Sequence, residues 1–148
     1  MAQAEHVESL NVGKDDLFAA ITRYEDYPQF VTGVTKVEVE RKGPGRARVT
    51  YHVSMMKDVV YTLDHEEDAA QGVIVWKLVK SDFFKTNNGR WEIKPEGADK
   101  CHVKYSLEAD FSIPVPGFIL KRMIKGNLPD MVKSFENRAK SQKNVKKA

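Results

Sequence analysis

A chain of 148 residues, 41% hydrophobic and 30% charged, reads as one ordinary soluble domain, large enough to bury a core without staples. No apolar run approaches the roughly 18 residues a membrane span needs, and MAQAEHVESL lacks the basic and apolar regions of a secretory signal. The single Cys101 excludes an internal disulfide and a cysteine zinc cluster, so a cytoplasmic location is expected. The net charge of +3 is unevenly spread. From Pro116 onward nine Lys/Arg oppose Asp130 and Glu136, a balance of +7 that leaves −4 for residues 1–115. Such a balance suits a solvated helix face with a basic tail, or a surface for an anionic partner such as lipid headgroups or nucleic acid.

In chain order, Glu5–Val12 is expected as a first strand. Lys14–Ile21 follows as a short helix whose Asp15 and Asp16 complement the helix dipole, with Leu17, Ala20 and Ile21 as its apolar stripe. Tyr24–Phe30 reads as a second helical turn limited by Pro28. Six strands come next: Thr35–Arg41, Arg46–Met55, Asp58–Glu66, Gly72–Lys80, Phe83–Lys94 and Lys100–Phe111. Gly43-Pro44-Gly45 marks a turn. Gly72–Lys80 is apolar on both faces, which suggests a central strand with a covered back. A bend is expected near Asn87-Asn88-Gly89. In the last strand Val103, Tyr105, Leu107, Ala109 and Phe111 alternate strictly with polar residues.

Pro116–Lys140 is the one stretch long enough for a substantial helix. Leu120, Ile124, Leu128, Met131 and Phe135 fall on one face, Pro116 suits a first turn, and Gly126–Pro129 predicts a kink. The order β-α-α-β6-α, with short links between apolar-faced strands, predicts an α+β domain: a curved antiparallel sheet of about seven strands closing over that helix. The domain is expected over residues 1–140, with 141–148 as a basic disordered tail.

Tyr27-Pro28-Gln29-Phe30, the strand Val34–Glu40, Phe83-Phe84-Lys85 leading to Gly89-Arg90-Trp91, and Met131–Lys140 carry a resemblance that covers roughly residues 5–140. The chain resembles the helix-grip fold of the START and pollen-allergen superfamily. Within it, the chain is similar to the polyketide cyclase/dehydrase branch and its coenzyme Q-binding, lipid-transport-like members. The resemblance implies an apolar cavity between sheet and last helix that takes a hydrophobic small molecule: a lipid, a quinone or a polyketide-like chain. The inward Tyr51, Met55, Tyr61, Trp76, Trp91 and Tyr105, with Ile124 and Leu128 of the helix, would line it. Those residues equally suit a solid core.

Enzymatic signals are poor. His52 and His102 lie on polar strand faces, and His65 ends a strand beside Asp64, Glu66 and Glu67, as part of an acidic turn or as a weak metal contact. Cys101 reads as a small buried hydrophobe. No HExxH, GxSxG, P-loop or GxGxxG motif is present, so no catalytic residue, metal ligand or cofactor is assigned. A cyclase or dehydratase stays open, since relatives of that kind work mainly by holding a reactive chain folded. Three functional classes follow: a binder or carrier of a hydrophobic molecule, a cyclase/dehydratase, and a ribosome- or protein-binding module. The resemblance implies the last because some bacterial relatives of the coenzyme Q-binding proteins associate with ribosomes, and the basic C-terminus fits it. DNA is not expected as a partner. A carrier must also meet a membrane, and Phe118 beside Lys121, Arg122 and Lys125 would suit peripheral contact with an anionic inner face.

Overall fold

The computed structural model describes residues 2–54, 58–118 and 127–147. Met55, Ile119, Leu120, Lys121, Arg122, Ile124 and Lys125 lie outside the described residues. Seven antiparallel strands form one curved sheet in the order β1-β7-β6-β5-β4-β3-β2. They are β1 (Ala2–Leu10), β2 (Val34–Gly43), β3 (Arg46–Ser54), β4 (Asp58–Asp68), β5 (Val73–Ser81), β6 (Phe84–Pro95) and β7 (Cys101–Phe111). From β2 to β7 each strand pairs with its successor, as short links require. β1 instead pairs with β7, so β1 and β2 form opposite edges. The chain between them, helix α1 (Lys14–Thr22) and a 3₁₀ turn (Tyr24–Gln29), therefore carries it from one edge to the other.

In a 3₁₀ turn residues three apart eclipse, and Tyr24 and Tyr27 both turn inward and are buried. Tyr27 donates from its hydroxyl to the Ile21 carbonyl at 2.5 Å, tying the turn to the end of α1. Gly43 and Gly45 both take positive φ in the β2–β3 turn, a region glycine enters without cost.

The last helix, α2 (Asn127–Lys147), ends beyond Lys140. Its closing turns hold Lys140, Lys143, Lys146 and Lys147, good helix formers whose charge suits a helix C-terminus. The buried stripe is Leu128, Val132, Phe135 and Ala139, with Met131 half-buried. It is shifted from the expected stripe because the core reaches across the i, i+4, i+7 and i+11 positions. Pro129 lies in the first turn of this described span, and Gly126, where the kink is expected, lies outside the described residues.

Three expectations need correction. β6 runs without a bend at Asn87–Gly89; its irregularity falls between Phe84 and Thr86. Gly89 has its own reason to be glycine, since a Cβ there would overlap the Trp76 indole on the neighbouring strand. β5 is central, but its back is open: Val75 is half-buried and Val79 exposed. A valine run reports preference for a pleated strand, whichever way it faces. Third, His65 does not sit in an acidic turn, because β4 continues to Asp68. Strand alternation then turns His65 inward with Tyr61 and Leu63, and it is buried. His52 and His102 do lie on the outer face, half-buried and 3.4 Å from Glu38 and Glu96.

Besides the buried stripe, α2 is held to the rest by contacts of Phe135 and Glu136. Phe135 meets Tyr27, Phe30 and Trp91 edge-on at centroid distances of 5.2, 5.2 and 5.4 Å. Glu136, 1% exposed, accepts a hydrogen bond from the Asn11 N–H at 2.7 Å, and the Lys133 ammonium lies 2.7 Å from its other oxygen. Burial pushes this carboxyl up, but Lys133, the Asn11 N–H and Lys140 outweigh it and hold the group below its ordinary value. Truncating Phe135→Ala is expected to cost about 3–5 kcal/mol, read from urea unfolding; a loss under 1 kcal/mol would contradict the packing described. A carboxyl depressed in the fold stabilises above its unfolded value of 4.5 and loses that contribution as pH falls. Glu136→Gln should therefore be less stable than the parent at pH 7, with the gap narrowing below pH 4.5. A gap constant down to pH 3 would contradict this assignment.

Candidate functional site on the inner face

Strand alternation sends Tyr51 (β3), Tyr61 (β4), Trp76 (β5), Trp91 (β6) and Tyr105 (β7) to the same side of the sheet, where α2 brings Leu128. These six expected residues are brought together in one cluster; Met55 and Ile124 lie outside the described residues. Tyr51 stacks on Tyr61 at 5.3 Å, Trp76 packs on Tyr105 at 5.3 Å, and Tyr105 meets Trp91 at 4.8 Å. The indole N–H of Trp76 donates to the Asn87 side-chain oxygen at 3.1 Å, which fixes the ring over Gly89.

Burial along this face is not uniform. At one end Ala47, Val49, Ile74, Ile93, Cys101 and Val103 are fully buried against α1 and α2. At the other, Val59, Phe83, Phe84 and Ala109 form a second buried cluster, flanked by Phe111, Ile113 and Val115. Between the two lie Tyr61, Leu78 and Leu107, all pointing inward and all only half-buried, and Val53, with Met131 of α2, is half-buried against the first cluster. Tyr61 and Leu78 touch both clusters. Tyr61 is half-buried, and burial pushes its phenol up to about 12. At the same level β5 and β6 part: their pairing stops at Trp76 and Gly89, whereas β4–β5 pairing continues to Ser81 and β6–β7 pairing to Phe84.

The polar groups on this face form a string. Tyr51 Oη and His65 Nε2 share a hydrogen bond of 2.8 Å. The imidazole packs on the Tyr24 ring at 4.5 Å, and Tyr24 donates to Glu67 at 2.5 Å. Glu67 also pairs with Arg41 at 3.1 Å, and Arg41 caps the Thr22 carbonyl at 2.9 Å. Burial lowers the His65 pKa to about 3, so the imidazole is neutral near pH 7. Burial raises the phenols of Tyr24, Tyr27, Tyr51 and Tyr105 above their ordinary value, and these stay protonated as donors. Cys101 is buried away from this string, its thiol pushed by burial up to about 11. Among the described residues no three His, Cys, Asp or Glu side chains are placed to share a metal ion. Sequence reasoning left His65, Val53, Leu78 and Leu107 out of the expected lining; strand parity with Tyr61 and Leu63 was the available signal for His65.

The outer face differs in kind. Its strands carry paired charges, including Arg48 with Asp64 in a two-point contact at 2.8 and 3.1 Å, and Lys42 with Glu40 at 2.7 Å. The grooves there are lined mainly by such groups.

Comparison with known proteins agrees with this architecture. The START superfamily protein from Mycobacterium smegmatis superposes with a TM-score of 0.83 at 20% identity, covering 95% of this chain and 98% of that one. The Zhui aromatase/cyclase from Streptomyces sp. R1128 superposes with a TM-score of 0.79 at 14% identity, over 94% and 93% of the two chains. Among curated proteins, the ribosome association toxin RatA of Escherichia coli K12 is 23% identical over 141 residues, covering 95% of this chain and 88% of RatA. At these identities the solved structures speak to fold alone. Residues 10–136 match the model of the family described as polyketide cyclase / dehydrase and lipid transport, and the chain belongs to that family.

Proposed function

We propose that this chain binds an apolar small molecule between the inner face of its sheet and α2. The observation that carries the reading is the half-buried belt of Tyr61, Leu78 and Leu107 between two buried clusters, continued by half-buried Val53 and Met131. In a solid core the middle is the most buried part, packed at crystal-like density. Inward side chains that keep accessible surface there are what the walls of a ligand site look like. Tyr51, Trp76, Trp91, Tyr105 and Leu128 border that belt on its more buried side. A molecule held there would be gripped largely by aromatic faces.

A carrier of such a molecule must also exchange it. Phe118, 76% exposed, follows the proline-rich Ile113–Pro116, and the sequence continues with Lys121, Arg122 and Lys125. Contact with an anionic membrane surface through this stretch is part of the proposal. A cyclase would use the same inner face by holding a reactive chain folded.

A second reading, association with the ribosome, is favoured by a different observation. The match to RatA, named as a ribosome association toxin, runs over nearly the whole chain, and the C-terminal part of this chain carries the +7 balance. Native mass spectrometry of the purified protein separates the two. A co-purified lipid, quinone or polyketide-like molecule, lost in Leu128→Trp, is the expected result. Bare protein that takes up no added apolar compound, or that retains ribosomal RNA or protein instead, would overturn the small-molecule reading.

A further inference from the structure

Tyr51 and His65 hold a leftover hydrogen. A phenol carries one O–H and a neutral imidazole one N–H, and the single hydrogen bond between them uses one of the two. If Tyr51 donates, the proton on His65 Nδ1 is unused; if His65 donates from Nε2, the Tyr51 O–H is unused. Nδ1 is buried with no partner among the described residues. Both side chains are buried, at 5% and 6% exposure. Glu67 is not that acceptor: its contacts run to Tyr24 and Arg41, and His65 Nδ1 makes no hydrogen bond to it. A buried donor without a partner is costly, so whichever tautomer is present, this pair is built to gain from an acceptor.

The pair also sits where a bound molecule would present one. Tyr51 stacks on Tyr61, which belongs to the half-buried belt. Beyond that belt the second cluster, Val59, Phe84 and Ala109 with Phe111, Ile113 and Val115, is apolar. One side of the belt thus offers a hydrogen-bond donor and the other offers hydrocarbon. We propose that Tyr51 and His65 form the polar anchor of this site, selecting apolar molecules that carry a carbonyl oxygen over hydrocarbons of the same shape. The carbonyl points toward β3 and β4, and the hydrocarbon part lies toward Phe111–Val115. This rests on the small-molecule reading above and adds the chemical class to it.

Two probes of one shape test it: 2-acetylnaphthalene, and 2-isopropenylnaphthalene, in which C=CH₂ replaces C=O. Dissociation constants for both are measured by equilibrium dialysis, and their ratio is compared between variants. The double variant Tyr51→Phe/His65→Leu should shift the ratio at least about ten-fold against the ketone, a selectivity typical of losing a buried hydrogen bond, while the hydrocarbon binds as before. Either single variant should keep most of the preference, because each retains one donor. In the parent protein the carbonyl stretch of bound 2-acetylnaphthalene should lie below its frequency in hydrocarbon solvent, a reading that needs no variant to fold. An unchanged ratio, an equal loss of both probes, or an unshifted stretch would overturn the anchor and leave the small-molecule reading standing. Failure of both probes to bind the parent protein would remove both.

Discussion

Phe135 is packed by rings from two other parts of the molecule: Trp91 from the sheet, and Tyr27 and Phe30 from the corner between the sheet's two edges. Edge-on aromatic contacts of this kind add about 0.5–1.5 kcal/mol each beyond the area they bury, and they fix orientation as well as distance. Because the corner must carry the chain from β1 to β2 across the sheet, this one contact sets how closely sheet, corner and α2 approach. Arg138, one turn further along α2, reinforces it by stacking over Phe30 and donating to Gln29 at 2.8 Å. Glu136 on the same turn reaches Asn11 at the end of β1. The closed end of the inner face is therefore held tightly, and the less buried belt lies beyond it.

That asymmetry links packing to function. Side chains that fill the closed end are small or aliphatic, such as Ala47, Val49, Ile74, Cys101 and Val103. The large amphipathic rings, Tyr51, Tyr61, Trp76 and Tyr105, gather towards the belt. Rings with polar edges stabilise a wall that meets a ligand on one side and a hydrogen-bond partner on the other. Trp76 illustrates the cost of such a wall: Gly89 must lack a side chain and Asn87 must be buried for its indole to lie flat. Buried Glu136 and neutral His65 add two more polar groups that a simple core would not contain.

Much of this could be read from the sequence because period-two alternation is unambiguous where every strand has one apolar face. Val103 to Phe111 and Ala47 to Val53 point as their spacing says. What escaped the sequence was set by tertiary contact. A glutamate at position 136 looks like another solvated helix residue until Asn11 and Lys133 close on it. A histidine after Asp64 looks like part of an acidic turn until β4 is seen to continue past it. The Val73–Val79 run suggested a covered back because β-branched residues mark strands as strongly as they mark burial. Gly89 looked like a bend because glycine's steric role opposite an indole cannot be inferred without the partner strand.

The central claim is that the half-buried belt, and not the charged outer face, receives the small molecule. Methyl-resolved NMR on protein labelled at leucine, valine and methionine methyl groups, titrated with a naphthalene ketone, tests it most directly. The account predicts saturable shifts at Leu78, Leu107, Leu128 and Met131, with the outer-face Val60 and Val79 unmoved. Shifts confined to Val60 and Val79, or no saturable shift at the inner-face methyls, would contradict it.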